Sequence, residues 1–200
     1  MNTNSTLSFF SPDNYFIDEK VGLFKFSNAY KLYNDQGVQI GNIVQNVPGF
    51  HKALRLILNK QMMPFMLDIK DMNDNVQVKI ERGWTFWMSK ISISDANGNL
   101  LGKVSQKFKF FKPSFQITDS AENTIARITG DWKAWNFSIE GAAGNSIGSI
   151  NKKWAGAMKE IFTTADKYHV SIVPEYKEDF SKVAILASAI TIDMVLKESK

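Results

Sequence analysis

Hydrophobic and polar positions alternate along the middle of the chain with a period of two, and clusters of Asp, Asn and Gly interrupt the alternation. Ile91 and Ile93 alternate with Ser92 and Ser94 up to Asp95. Asn97, Gly98 and Asn99 follow, and the alternation resumes through Gly102, Lys103 and Val104. Twenty-four residues beyond Asp95 the plan recurs: Phe115 and Ile117 lead to Asp119, Asn123 closes the cluster, and Ala126 and Ile128 continue. Looser copies run through Asp35, Gly37 and Gly41, through Asp71, Asp74 and Asn75, and through Glu140, Gly144 and Gly148. Each copy reads as strand, tight turn, strand, because Asp, Asn and Gly tolerate the positive φ that hairpin turns require.

Small residues recur just beyond the turns, at Gly41, Gly102, Ala126 and Gly148. Two readings stand side by side: a backbone that must be approached closely, as in a barrel with something packed inside it, or ordinary hairpin composition. Two stretches change the period to helical. Residues 49–63 carry Phe50, Leu54, Ile57, Leu58 and Met62 on one face, ending at Pro64, and residues 152–167 carry Trp154, Met158, Ile161 and Phe162. Residues 168–173 alternate like a strand, Pro174 breaks the chain, and an apolar segment, 183–196, closes it. As a helix its fourteen residues would be about 21 Å long, against a hydrocarbon core of about 30 Å. That length favours a buried core helix over a short, strained membrane span. The expected class is one domain, mainly β, with a C-terminal helix.

Composition narrows the chemistry. Zero Cys excludes disulfides, thiol catalysis, Cys-ligated zinc and S-palmitoylation. A net charge of +4 is too mild to demand nucleic acid, and no RNA-binding signature accompanies the aromatics. The 15 Phe, 5 Trp and 5 Tyr point to a well-filled core. The opening Met1, Asn2, Thr3, Asn4 and Ser5 lacks a basic region before an apolar run, so a secretory signal is not expected. His51 and His169 are too isolated for a metal cluster. No nucleophile elbow, phosphate-binding glycine loop, His-Glu-x-x-His or paired catalytic carboxylates are present, which argues against an enzyme.

The ordered run Gly148, Ile150, Lys152 and Trp154, followed by Glu160, Phe162, Thr163, Ala165 and Asp166, resembles the phospholipid scramblase family. The apolar ending from Ala184 to Asp193, and Gly130, Asp131, Trp132, Asn136 and Phe137 upstream, fit the same pattern. The likeness is densest over 114–196. It implies a Tubby-like twelve-stranded antiparallel β-barrel, shared with plant LURP-one-related proteins, that encloses the C-terminal hydrophobic helix and carries short accessory helices. On this reading residues 1–22 lead into the barrel and 23–200 form a single domain. Compared with the animal members, the chain carries neither a Pro-rich N-terminal extension nor a Cys-rich segment, as in a compact member without acyl anchoring.

The resemblance implies binding of membrane phospholipid, with movement between leaflets as the family activity. The competing reading is a soluble phosphoinositide-type sensor or a protein-interaction scaffold. The implied partner is an anionic phospholipid surface, with no nucleic acid expected, and the implied location is cytoplasmic, peripheral at the inner face of the plasma membrane. The family's calcium loop falls on Thr164, Asp166, Tyr168, Val170, Ile172 and Glu175. Only Asp166 and Glu175 are carboxylates, whereas calcium takes six to eight oxygens, so calcium is disfavoured and no cofactor is expected.

The candidate headgroup site comes from the residues. Period two places Lys103, Lys107 and Lys109 on one face and Val104, Phe108 and Phe110 on the other, with Lys79 and Arg82 nearby if the hairpins pair in order. Such a row could hold phosphate, or could be merely the solvated face of a strand. Lys52, Arg55 and Lys60 form a second basic set. In the terminal helix Ile185 and Ala189 are expected in the core. An enclosed Asp193 needs a structural partner, or marks a lipid or ion path.

Overall fold

The computed structural model describes residues 9–20, 29–46, 63–85, 88–107, 114–131, 133–152, 167–176 and 179–197. Twelve strands follow in order: β1 (Asn14–Lys20), β2 (Ala29–Tyr33), β3 (Gln39–Asn46), β4 (Phe65–Asp71), β5 (Val76–Arg82), β6 (Lys90–Asp95), β7 (Leu100–Lys107), β8 (Ser114–Asp119), β9 (Thr124–Asp131), β10 (Asn136–Gly141), β11 (Ser146–Asn151) and β12 (Lys167–Ile172). Each pairs antiparallel with its neighbours in sequence, and β1 pairs with β12 to close the barrel. The terminal helix α1 spans Asp179–Lys197.

Five hairpins are built alike. In the β6–β7 turn the Asp95 carboxylate accepts hydrogen bonds from the backbone N–H of Asn97 and Asn99, both at 2.8 Å, and from the Asn99 side chain at 2.7 Å. Gly98 N donates to Asp95 O at 3.1 Å, and Gly98 takes φ +89°. This is a three-residue turn with one left-handed residue, which displaces the register by one position. The same residue position is left-handed at Gly37, Asp74, Glu122 and Gly144. Asp71 with Asn75 and Asp119 with Asn123 repeat the carboxylate–amide clasp. The Asp and Asn clusters read from the sequence are these clasps.

Up-and-down order puts these five tight turns on one rim of the barrel and the remaining connections, most of them longer, on the other. We call these the turn rim and the loop rim. Along every strand alternate side chains face inward: Leu67 and Ile69, Val78 and Ile80, Ile91 and Ile93, Phe115 and Ile117, Phe137 and Ile139 are all buried. An eight-stranded barrel is just filled by its own side chains, so twelve strands leave room for more. α1 fills that space. Ten consecutive residues, 183–192, are buried, and ten residues are nearly three helical turns, so every face of the helix is enclosed. Ser188 satisfies its hydroxyl on Ala184 O at 2.6 Å, within the helix. The expected places of Ile185 and Ala189 are therefore observed, and no helix among the described residues is long and apolar enough to cross a membrane.

Three expectations change. The barrel begins before residue 23, because β1 supplies the closing strand and Phe10, ahead of it, is buried in the core. Lys167 opens β12 instead of ending a helix; the rest of the two accessory helices, over 49–62 and 153–166, lies outside the described residues. Of the small residues beyond the turns, Gly41 and Gly148 answer to neighbouring backbone. A Cβ on Gly41 would come 2.2 Å from Lys70 O and 3.0 Å from the Phe9 ring, and one on Gly148 would come 2.2 Å from Ser171 O.

Candidate functional site on the barrel wall

On β7 the residues Lys103, Ser105 and Lys107 face outward while Gly102 and Val104 are buried, as period two requires. The register continues this surface across neighbouring strands. Lys103 lies opposite Ser92 of β6 and Thr118 of β8, and Ser105 lies between Lys90 and Gln116. Gln116 in turn faces Arg127 of β9, which is exposed. Lys79 pairs with Ser94 on the same outer face, two strands from Lys103 and offset by about two residues. With strands about 4.8 Å apart and about 3.3 Å per residue, their Cα atoms are about 12 Å apart. That spacing suits two contacts to neighbouring headgroups better than one shared phosphate.

Each of these cations already has an environment. Lys103 Nζ makes an ion pair with Glu122 Oε1 at 2.7 Å, and this hydrogen bond holds the Glu122 carboxyl below its ordinary value. Both partners are well exposed, so the pair is easily exchanged for an external anion. Lys79 Nζ donates to Ala96 O at 3.1 Å, which leaves two of its protons for other acceptors. Lys107 is exposed at the end of β7. Glu81 and Glu140 also face outward, so the wall is mixed in sign, with the cations concentrated on β6 and β7.

Arg82 does not join them. It is 2% exposed, donates from Nη2 to Met63 O at 2.6 Å, and lies 4.6 Å above the Phe65 ring centroid. The reason is parity: Lys79 and Arg82 are three residues apart, and an odd separation on a strand places them on opposite faces. Arg82 fastens the loop rim from inside. The sequence reading also missed Lys90 and Arg127. Both could have been found by extending the same alternation, since Lys90 shares parity with Ser92 and Ser94.

Lys109, Phe108, Phe110, Lys52, Arg55, Lys60, Thr164 and Asp166 lie outside the described residues, as does the side chain of Asp193. Tyr168, Val170 and Ile172 of the calcium-loop register belong to β12 and are buried in its inward row, while Glu175 is exposed beyond it. A strand cannot wrap six oxygens around an ion, because alternate residues point to opposite faces. Among the described residues no three His, Asp or Glu side chains gather as a metal cluster. His169, on the outer face of β12, stacks on Phe16 at 4.6 Å between centroids and meets Asn14 Oδ1 at 2.9 Å. Burial holds its imidazole below the ordinary pKa.

Comparison with known proteins adds two findings. A family model described as Scramblase matches residues 19–199. A solved X-ray structure of an Arabidopsis thaliana protein is similar at TM-score 0.52 and 8% identity, over 92% of this chain and 96% of that one. At that identity the likeness speaks for the fold alone. No match was found among curated proteins.

Proposed function

Because this chain belongs to the Scramblase family over residues 19–199, we propose that it engages anionic phospholipid at a membrane surface through the cations of its outer wall. The family match carries the proposal, since it takes in nearly the whole barrel together with its core helix. Lys79, Lys103 and Lys107 support it chemically: they stand on one face, and a lysine near an anionic surface contributes about 1 kcal/mol. The protein acts in this reading as a non-catalytic lipid binder, peripheral at the inner face of the plasma membrane. Movement of lipid between leaflets is the finer part of the proposal, and it proceeds without α1 leaving the barrel. A second reading, a lipid sensor or scaffold without translocation, is favoured by the enclosure of α1.

The test is reconstitution into liposomes carrying fluorescent lipid in both leaflets, with a membrane-impermeant quencher added outside. Loss of signal beyond the outer-leaflet share supports translocation. Loss of the outer share alone, with protein verified on the liposomes, leaves the binding role and removes the translocating one. Failure to co-sediment with anionic vesicles at low salt would sink the lipid reading altogether.

A further inference from the structure

The two rims of the barrel differ in charge as well as in length of connection. The five tight turns, 34–38, 71–75, 95–99, 119–123 and 141–145, hold six acids, Asp35, Asp71, Asp74, Asp95, Asp119 and Glu122, and no Lys or Arg of their own; Lys103 and Lys79 reach Glu122 and Ala96 from the adjoining strands. Three of these carboxylates are held below their ordinary pKa: burial raises Asp71 and Asp95, but the bonds from Asn75, Asn99 and neighbouring backbone N–H outweigh it, and the Asn123 side chain lowers Asp119. At the loop rim the balance among the described residues shifts towards positive: Lys90, Lys107 and Lys133 are exposed and Lys152 lies 4.7 Å over the Trp135 ring, against the exposed acids Glu81 and Asp131.

Exposed apolar side chains do not separate the rims by themselves, since Val38, Met72 and Leu100 are exposed near the turns and Met66, Trp84 and Met88 near the loops. Charge and indole do. Trp84 is 51% exposed, and Thr85 Oγ1 closes its loop by donating to Met88 O at 2.9 Å. Gln106 N donates to Ser89 O, so Lys107 at the end of β7 stands next to Met88 across the strand pair. Trp84, Met88, Lys90 and Lys107 thus gather where β5, β6 and β7 meet this rim. Among the described residues Trp84 is the exposed tryptophan of this rim, while Trp135 is buried beneath Lys152.

We infer that the barrel docks end-on, with the loop rim against an anionic lipid surface and the turn rim pointing away. Indole is the side chain most at home between headgroups and acyl chains, and neighbouring ammonium groups meet the headgroup phosphates. The acidic turn rim would be repelled from the same surface. The barrel axis then stands along the membrane normal, and the wall lysines nearest the loop rim reach headgroups before Lys79 and Lys103 do. This inference rests on the lipid reading and adds its orientation.

The absence of Cys allows a direct test. Gly83→Cys marks the loop rim, where a Cβ meets nothing within 4 Å, and Asn97→Cys marks an exposed position on the turn rim. Each is labelled with an environment-sensitive fluorophore and mixed with vesicles of equal parts phosphatidylcholine and phosphatidylserine, with and without a quencher on the acyl chains. The expected result is a blue shift and quenching at position 83 and none at position 97. In the same assay Lys90→Gln and Lys107→Gln should each weaken binding about fivefold. A response at position 97 equal to or larger than that at 83 overturns end-on docking. Co-sedimentation with both labels silent overturns it too, leaving a wall-mediated lipid protein. If the unlabelled chain does not bind these vesicles, the lipid reading itself fails first.

Discussion

Lys182 Nζ lies 2.5 Å from Asp13 Oδ1 and 3.4 Å from Ser11 O, joining the start of the core helix to the segment just ahead of the closing strand. The two residues are 169 positions apart, yet they meet where the helix enters the barrel from the turn rim. Lys182 is buried, while about a third of the Asp13 side chain is exposed at 32%. The next links are backbone bonds: Ile172 N donates to Asp13 O at 2.8 Å, tying the end of β12 to the same point.

Removing the acid should therefore cost more than an ordinary surface change. Asp13→Ala leaves a buried ammonium without its anion and should destabilise the protein by about 2 kcal/mol, below the roughly 3–5 kcal/mol of a fully enclosed pair. Lys182→Met in the same background should recover part of the loss, because an apolar replacement removes the orphaned charge. Equilibrium denaturation of the two single variants and the double variant measures the coupling; simple additivity would refute it.

The core helix sets a second expectation. Ala189 and Ile185 are wholly enclosed, so Ala189→Lys or Ile185→Lys should prevent folding to a soluble barrel. Ile185→Val removes only one methylene and should cost about 1 kcal/mol. Normal thermal unfolding of the Lys variants would show that the helix sits outside the barrel.

For the wall, Lys103→Gln, Lys107→Gln and Lys109→Gln together should weaken binding to anionic vesicles by about 2–3 kcal/mol with little change in stability. Glu122→Gln lies on the rim that points away and should leave binding unchanged; stronger binding, from the freed Lys103, would mean that the wall itself meets the membrane. The loss in the triple variant should fade as salt rises, since the Debye length falls from about 10 Å at 0.1 M to about 3 Å at 1 M. Titration against anionic and neutral vesicles at two salt concentrations reads all of these. Unchanged binding by the triple variant at low salt would make this face a solvated wall.

Stability should fall towards acid in two separate windows. His169 has a depressed pKa from burial, so the unfolded chain takes up that proton first. Its contribution is complete above about pH 6.5 and is lost as pH falls from there towards the folded value. Asp119, depressed chiefly by the Asn123 side-chain hydrogen bond, contributes fully above about pH 4 and loses its contribution below. Asp71 and Asp95 follow it: burial raises each carboxyl, but the bonds from Asn75 and Asn99 with neighbouring backbone outweigh that. Denaturation as a function of pH should show both windows. His169→Gln should flatten the upper one and leave the lower, and a profile unchanged by that substitution would contradict the assignment.

Strands, turns and the parity of the wall were readable from residue order because each depends on neighbours a few positions away. Alternation tells Val104 from Lys103, and an Asp four residues before an Asn marks a clasped turn, whatever the rest of the chain does. The same parity would have sent Arg82 inward had it been applied across the whole of β5. The apolar run ending the chain likewise demanded a non-aqueous surrounding on all sides. Order alone did not determine that β1 meets β12, that His169 would find Asn14 across 155 residues, or that Glu122 would swing back onto Lys103. Nor did it set the charge balance of the two rims. Those outcomes depend on closure, because only when twelve strands wrap around one helix do distant turns come to share a rim and distant side chains a wall.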